Sequence, residues 1–547
     1  MHPTEEPQSQ EESTLILPNI DLSSELLYEF LLSEIASQRG HVELAIEGSS
    51  ELANKTRDPR LAMRATQLAL RAGQLEKAAE SLKVWREVEP ASPVAMRMLS
   101  SVLLRSGRLD EAGQELAGVL RAEQANAGHI FYEVYQLLAP YPDKEAALKL
   151  MLQLAKPYPL VAEAHWATAQ LARSSGNDDI ALKEAKLASR LSPEWDQAVS
   201  LEAQLLSKNA PEQGLQVLSR YLSSYPDAHE IRLQYARMLL AQNHYKQSRD
   251  QFQLLVNNNP DNPETIFAIA LISLQMSDFE GAENYLKQAL GKGKKDQDTV
   301  HYYLGQLGEA KKMVTEAIEH YRQVAAGEYQ FSAQIRIVYL LSKHGQFDEA
   351  LQKLHQLQVV DDYQRVQLIS TEAQLLREAN RLPEAYQVYL NGLEKLPNHP
   401  DLLYGAAMLA DMLGKPDVFE QLMRKLIQLQ PDHAHAYNAL GYGLLERSER
   451  ISEAVQLVER ALQLSPDDPA IMDSVGWGYY RSGNLNNSIK MLRRAFVGSP
   501  DPEIAAHLGE VLWMKGEQAE ARKVWQGSLK DNPDNSYLQT VIKKFMP

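Results

Sequence analysis

The 34 residues from Pro469 to Pro502, PAIMDSVGWGYYRSGNLNNSIKMLRRAFVGSPDP, carry the pattern from which the fold is read. A first apolar run holds Val475-Gly476 and then Tyr479, and the break Ser482-Gly483-Asn484 follows it. A second run places Ser488, Leu492 and Ala495 at spacings of four and three, one face of a helix, and Pro500 ends it. The stretch therefore predicts two helices joined by a tight turn. A glycine in the first and a small residue in the second mark where they cross most closely, since a bulky side chain at either point would push them apart. Proline stops the second helix because it offers no N–H and clashes with the preceding turn.

The small residue of the second run serves as a ruler along the chain. It recurs at Ala45, Ala78, Ala112, Ala147, Ala181, Gly214, Ser248, Ala282, Ala317, Ala350, Ala385, Phe419, Ala454, Ser488 and Ala521, every 33 to 35 residues, and only Phe419 is not small. Four residues after the mark the side chain is bulky and apolar except at Ser49 and Ala185. Twelve residues after it stands a proline in ten of the fifteen units, from Pro90 to Pro533. Alanine-rich helices give chance matches to one such marker, but not three markers held in phase over fourteen intervals.

A large-small pair, an aromatic, a small residue, a bulky one and a proline within 34 residues resemble the tetratricopeptide repeat. The resemblance implies an all-α superhelical solenoid of about fifteen helix-turn-helix units, closed by a C-terminal capping helix. Such an array escapes the usual division of 547 residues into several globular domains, because each unit packs only on its neighbours. Residues 1–20 are polar, acidic and proline-bearing and read as a flexible tether. An N-terminal array is expected over 21–290 and a C-terminal array over 300–533, with a capping helix over 534–547. Between the arrays, 291–299 has lost its helix-ending proline and gained glycines and lysines, which makes it a candidate hinge. The fourth unit, with Pro140, Pro142, Pro157 and Pro159 and no inter-helix glycine, is a place where the stack is expected to bend.

The formal charge of −16 argues against nucleic acid as a partner, which needs a basic surface. The short basic run Lys292–Lys295 is flanked by acids and reads as a solvated loop. With no cysteine, disulfides, thiolate zinc sites and cysteine nucleophiles are all excluded. No window approaches the roughly 18 to 20 apolar residues that span a bilayer. The start MHPTEEPQSQEES is acidic where a secretory signal would be basic and then apolar, so the chain is read either as cytoplasmic or as beginning after a removed targeting segment. His433 and His435 lack further ligands nearby, and Gly441-Tyr-Gly443 and Gly476-Trp-Gly478 lie within helices rather than after strands, where phosphate loops belong. Neither catalytic residues nor a cofactor or metal site is expected, and the chain reads as a non-enzyme.

Two surfaces are candidates for binding protein partners. The first helix, roughly Ser24 to Gln38, is apolar nearly all round, and Leu26, Leu27, Phe30 and Leu31 are expected to dock a partner. The second is the groove that the resemblance assigns to the first helix of each pair, at the second, fifth, ninth and twelfth positions of the unit. Those positions supply Tyr132, Gln136, Trp166, Gln170, Tyr302, Gln306, Gln374, Tyr404, Asn438, Trp477 and Trp513. Glutamine holds the ninth position at Gln67, Gln136, Gln170, Gln306 and Gln374, and its amide both donates and accepts, which suits the backbone of an extended peptide. No fifth position is lysine and no ninth is asparagine, so the carboxylate clamp that grips chaperone C-termini is not expected.

The phrases DSVGWGYYRSG (Asp473 to Gly483) and HLGEVLW (His507 to Trp513) further resemble a group of Gram-negative tetratricopeptide lipoproteins. Among these the likeness is to adaptors of periplasmic carboxyl-terminal processing serine proteases. That resemblance implies a scaffold that activates the protease and presents peptidoglycan hydrolases to it. It also implies outer-membrane attachment through a lipidated cysteine that this sequence does not contain. A structural scaffold for envelope export or cell-wall synthesis, or a cytoplasmic regulatory module, would use the same repeats.

Overall fold

The computed structural model describes residues 18–546; residues 1–17, most of the expected tether, lie outside it. Among the described residues there are 31 α-helices, numbered α1 to α31 in chain order, one short 3₁₀ turn and no strand. Thirty of the helices follow one another as fifteen pairs, in all but the fourth of which the two helices pack together, and α31 (Ser536–Phe545) stands alone at the end. The fold is the all-helical repeat solenoid that the ruler predicts.

The fifteen marks fall one to each second helix, and all are buried. Where the mark is serine, its hydroxyl is satisfied by the partner helix: Ser248 Oγ donates to the Ala236 carbonyl at 2.8 Å and Ser488 Oγ to that of Gly476 at 2.7 Å. A buried hydroxyl without such a partner would be costly. Phe419, the one large mark, lies on α24 (Pro416–Leu429) and is also buried. The space comes from Gly443 on α25 (Ala434–Glu446), where a Cβ would stand 2.9 Å from the Phe419 ring.

The chain divides into two compact units, Met1–Gly293 and Lys294–Pro547. Lys292 and Lys295 are exposed as the solvated-loop reading expects, whereas Lys294 is buried. In the N-terminal unit the fourth pair departs from the rest. Its helices α7 (Ala127–Leu138) and α8 (Lys144–Ala155) scarcely touch; α7 packs on α9 (Ala162–Ser174), and α8 lies against α6 (Leu109–Ala122). Gly113 on α6 makes room for Leu150, whose Cδ1 lies 2.5 Å from where a Cβ would be.

In the C-terminal unit the last helices are held by one buried ion pair. His507 on α29 (Pro502–Lys515) meets the Asp473 carboxylate of α27 (Pro469–Arg481), with Nδ1 2.9 Å from Oδ2, and both side chains are buried. Its Nε2 lies 3.1 Å from the Tyr537 hydroxyl of α31, and its ring stacks on Trp477 at 4.2 Å. Burial opposes the imidazolium charge, but the Asp473 carboxylate, with Glu503 and Glu446 beyond it, outweighs that and holds the His507 pKa above its ordinary value.

Two predictions follow from this packing. Gly509 faces the Trp525 indole where a Cβ would collide with a rigid ring, whereas Gly527, also helical, has open space around it. Gly509→Ala should cost about 1–3 kcal/mol and Gly527→Ala should gain about 0.5–1 kcal/mol, measured by urea unfolding of the full chain. His507→Ala should cost about 3–5 kcal/mol by stranding a buried carboxylate. Because the folded pKa is raised, the His507 contribution is complete below about pH 6.5 and fades as pH rises through the folded value. Thermal melting of the wild type should fall over that rise, and His507→Ala should flatten the dependence.

Candidate protein-binding surfaces

Helix α1 (Ser24–Gln38) begins at an N-cap, Ser23, whose side chain accepts from the Leu26 N–H at 3.1 Å. It packs on α2 (Val42–Thr56) through small residues. Only Ser33 and Ala36 are buried, with Ser33 Oγ 3.1 Å from the Ala45 carbonyl oxygen and 2.6 Å from Ser49 Oγ. Gly48 adds to the close approach, its absent Cβ lying 3.1 Å from Ser33 Cβ. With the contact face given to small residues, the large ones turn outward. Leu27, Tyr28, Phe30, Leu31, Leu32 and Ile35 are between 38% and 64% exposed, and Leu26 is partly covered. Val42 and Leu44 of α2 are exposed as well.

The groove residues named from the sequence do not all reach a groove. In the N-terminal unit Trp166 is 5% exposed and packs among aromatic rings. It stacks on Tyr132 (5.5 Å, 23°), meets Tyr135 edge-on at 5.0 Å and lies 5.5 Å from Trp195. This corrects the expectation of an outward tryptophan, since its faces are spent on neighbouring repeats and only an edge lines a cavity. Tyr132 is half-buried in the same stack, and Gln136 is exposed beside Tyr141 in a separate cleft.

The cavity at Trp166 measures about 550 Å³ and crosses three successive first helices, α9, α11 (Asp196–Asn209) and α13 (His229–Ala241). Trp166 and Gln170 line it from α9, Gln197, Ser200 and Gln204 from α11, and Gln234 and Arg237 from α13. Part of this wall is already bonded: Gln204 accepts from Arg173 at 3.0 Å, and Gln234 donates to the Ser200 carbonyl at 3.0 Å. Trp166 Nε1 and Gln170 Oε1 are buried without a hydrogen-bond partner among the described residues. The sequence reading missed the α11 and α13 residues. The turn from α11 to α12 (Pro211–Ser224) is a single residue, against three from α9 to α10 (Asp178–Leu191), while α11 is one residue longer than α9, so counting back from the small-residue mark lands one position off on α11.

In the C-terminal unit, Tyr404 and Asn438 do line one cavity, of about 460 Å³, together with Tyr442, Asp473 and Glu503. Tyr442 donates to Glu503 at 2.9 Å across two repeats, and its hydroxyl is held above the ordinary pKa by burial and by the Glu503 and Glu446 charges. Trp477 is corrected like Trp166: it is 6% exposed, stacked on His507, and its indole donates to Glu446 at 2.8 Å. Trp513 is half-buried, stacked on Trp525 at 5.8 Å and near Phe545 of the final helix, so it closes the end of the core. Tyr302 is half-buried and stacked on Tyr329 at 4.4 Å. Gln306 and Gln374 are exposed, Gln374 donating to Glu378 of its own helix at 3.1 Å.

Among the described residues no group of three or more His, Asp or Glu side chains could hold a metal, and no helix is long and apolar enough to cross a membrane. Sequence profiles described as tetratricopeptide repeat match residues 64–127, 205–266, 267–333 and 420–469. The TPR repeat-containing protein PA4667 of Pseudomonas aeruginosa is 33% identical over 496 residues, 89% of this chain and 82% of that one. A shorter likeness, 22% over 188 residues, is to the human protein O-mannosyl-transferase TMTC1 and covers 33% of this chain and 21% of that protein. The crystal structure of the APC/C hetero-tetramer Cut9-Hcn1 aligns over 89% of this chain and 97% of its own, at 12% identity and a TM-score of 0.32. The repeat pairs, the buried marks and the long match in Pseudomonas agree, and the chain belongs to the tetratricopeptide-repeat proteins, a family of protein-interaction scaffolds.

Proposed function

We propose that the chain is an adaptor that binds and activates a periplasmic carboxyl-terminal processing serine protease and presents protein substrates, peptidoglycan hydrolases, to it. The narrower part of this reading rests on the likeness of Asp473 to Gly483 and His507 to Trp513 to adaptor lipoproteins of that kind. In the cell such an adaptor sits in the periplasm, attached to the outer membrane by an N-terminal lipid.

The observation that carries the reading is the outward apolar surface of α1. A terminal repeat left to water turns polar residues outward. Here Leu27, Phe30, Leu31 and Ile35 each keep about half their area uncovered, and covering the rest contributes about 1 kcal/mol apiece. Of the acids on this helix, Glu29 and Glu34 are already paired with Lys55 and Arg64 of the following helices, so apolar area rather than charge carries the contact. One partner held at α1 and another along the first-helix surfaces become local to each other, and two weak encounters turn into one high effective concentration.

Replacing Leu27, Phe30 and Leu31 together by aspartate should weaken association with the protease about a hundredfold or more, read by surface plasmon resonance with purified components. Helical circular dichroism should stay at the wild-type level, because these side chains contribute little to the core. Undiminished association of the triple variant contradicts the docking role of α1.

A further inference from the structure

The fourth pair, marked in the sequence by its prolines, leaves an opening on the side of the second helices. With α7 drawn away to α9, α8 leans on α6, and a groove of about 1020 Å³ runs between these two helices and the turn after them. Its floor is Gly113, Ala117 and Leu120 of α6 and Leu150 and Leu154 of α8, with Tyr158 at one end. The α6 residues fall at spacings of four and three, one stripe along the helix. On the rim Gln114, Arg121 and Gln153 are exposed, and none of them bonds another side chain among the described residues. We propose that this groove is the seat of α1 from a second copy of the chain, laid between α6 and α8 and antiparallel to α6. The contact goes beyond the adaptor reading and rests on it only for one consequence, that the protease and the second copy compete for the same face of α1.

A groove walled by helices takes a helix. The main-chain groups of α6 and α8 are bonded within their own helices, so an extended strand finds nothing there to pair with, whereas a helix brings its own backbone bonds and needs only side-chain contact. Among the described helices α1 has six exposed large apolar residues and no other has more than two. Leu27, Leu31 and Ile35, four residues apart, form a ridge along it. At 15 residues α1 is about 22 Å long, and α6 at 14 residues is about 21 Å.

The charges fix the direction. Glu25, in the first turn of α1, is 78% exposed and no nearer than 4.0 Å to Lys55, and Arg39, the C-cap, forms no ion pair among the described residues. In the groove Arg121 stands in the last turn of α6 and Asp110 in its first, likewise without an ion pair among the described residues. Laid antiparallel, α1 brings Glu25 to Arg121 and Arg39 to Asp110, and the two helix dipoles oppose. Laid parallel, it sets Glu25 on Asp110. The eight exposed apolar residues of α1 and α2 are between 38% and 64% uncovered. They offer at most on the order of 600 Å², below the roughly 800 Å² a side of a stable complex. The contact is therefore weak and reversible, and gives way to a tighter partner.

The test uses the full chain. Sedimentation velocity from about 1 to about 100 µM should show the mass rising above one copy. Gln114→Glu, Arg121→Glu and Gln153→Glu together change only exposed side chains and should weaken association at least about tenfold, with circular dichroism unchanged. Leu27, Phe30 and Leu31 changed together to aspartate should do the same. A mixture of these two variants should still form pairs, because one supplies the helix and the other the groove. The chain has no cysteine, so orientation is read directly by oxidation. Copies with Glu25→Cys should link to copies with Arg121→Cys and not to copies with Asp110→Cys. A single-copy mass throughout the range overturns the proposal, as does undiminished association of the rim variant or failure of the mixture to pair. Copies with Glu25→Cys that link chiefly to one another also overturn it, since α1 then packs on α1. If the rim variant ceases to associate while the protease binds the aspartate variant undiminished, the adaptor docking falls and this contact stands. Protease binding lost in the aspartate variant, with no self-association of the wild type, removes this contact alone.

Discussion

The close crossing of two helices at a small residue is the contact on which every pair but the fourth depends. Removing side-chain bulk at the fifteen marks lets neighbouring backbones approach, and the larger apolar residues one turn away then fill the space on either side. Phe419 and Gly443 show that the constraint is on the joint volume at the crossing rather than on one position. A phenylalanine is accepted where the next pair supplies a glycine. Because each pair meets this requirement with its neighbours alone, the array lengthens without a global core, and stability is a sum of local terms.

The same constraint decides what is left over for binding. At α1 the contact with α2 is made by Ser33 and Ala36, and seven larger apolar residues are left facing away from it or along its edge. Along α9, α11 and α13 the first helices pack through alanines and leucines, and their other faces present glutamines to a shared cavity. In the C-terminal unit the corresponding surface is acidic and aromatic, and it is organised by His507, whose charge neutralises Asp473 and whose ring supports Trp477. One repeat chemistry thus yields an apolar surface, an amide-lined cavity and an acidic cavity by changing only residues outside the crossing.

Periodicity made the repeat count, the burial of every mark and the outward apolar groups of α1 legible in the sequence. Depth was not legible. Spacing places Trp166 and Trp477 on the correct side of their helices, but a tryptophan is long enough to lie down between adjacent repeats, and both do so. Trp513 lies on Trp525 beside the final helix for the same reason. The α11 wall was missed because α11 begins one residue nearer to its mark than α9 does, which changes the count. A single residue rotates the assigned face by about 100°. Aligning each first helix on its own apolar residues, rather than on the mark of the second, recovers Gln197, Ser200 and Gln204. The buried His507–Asp473 pair, 34 residues apart, is one repeat length and could have been sought as a charge pair at equal phase.

The central claim is that the uncovered surface of α1 is completed by another protein. Hydrogen–deuterium exchange of the full chain, alone and with the carboxyl-terminal processing protease, tests it most directly. The account predicts slowed exchange in peptides covering α1 and the start of α2 when the protease is present, with α27 to α31 unchanged. Unaltered exchange across α1 in a complex that nonetheless forms would contradict it.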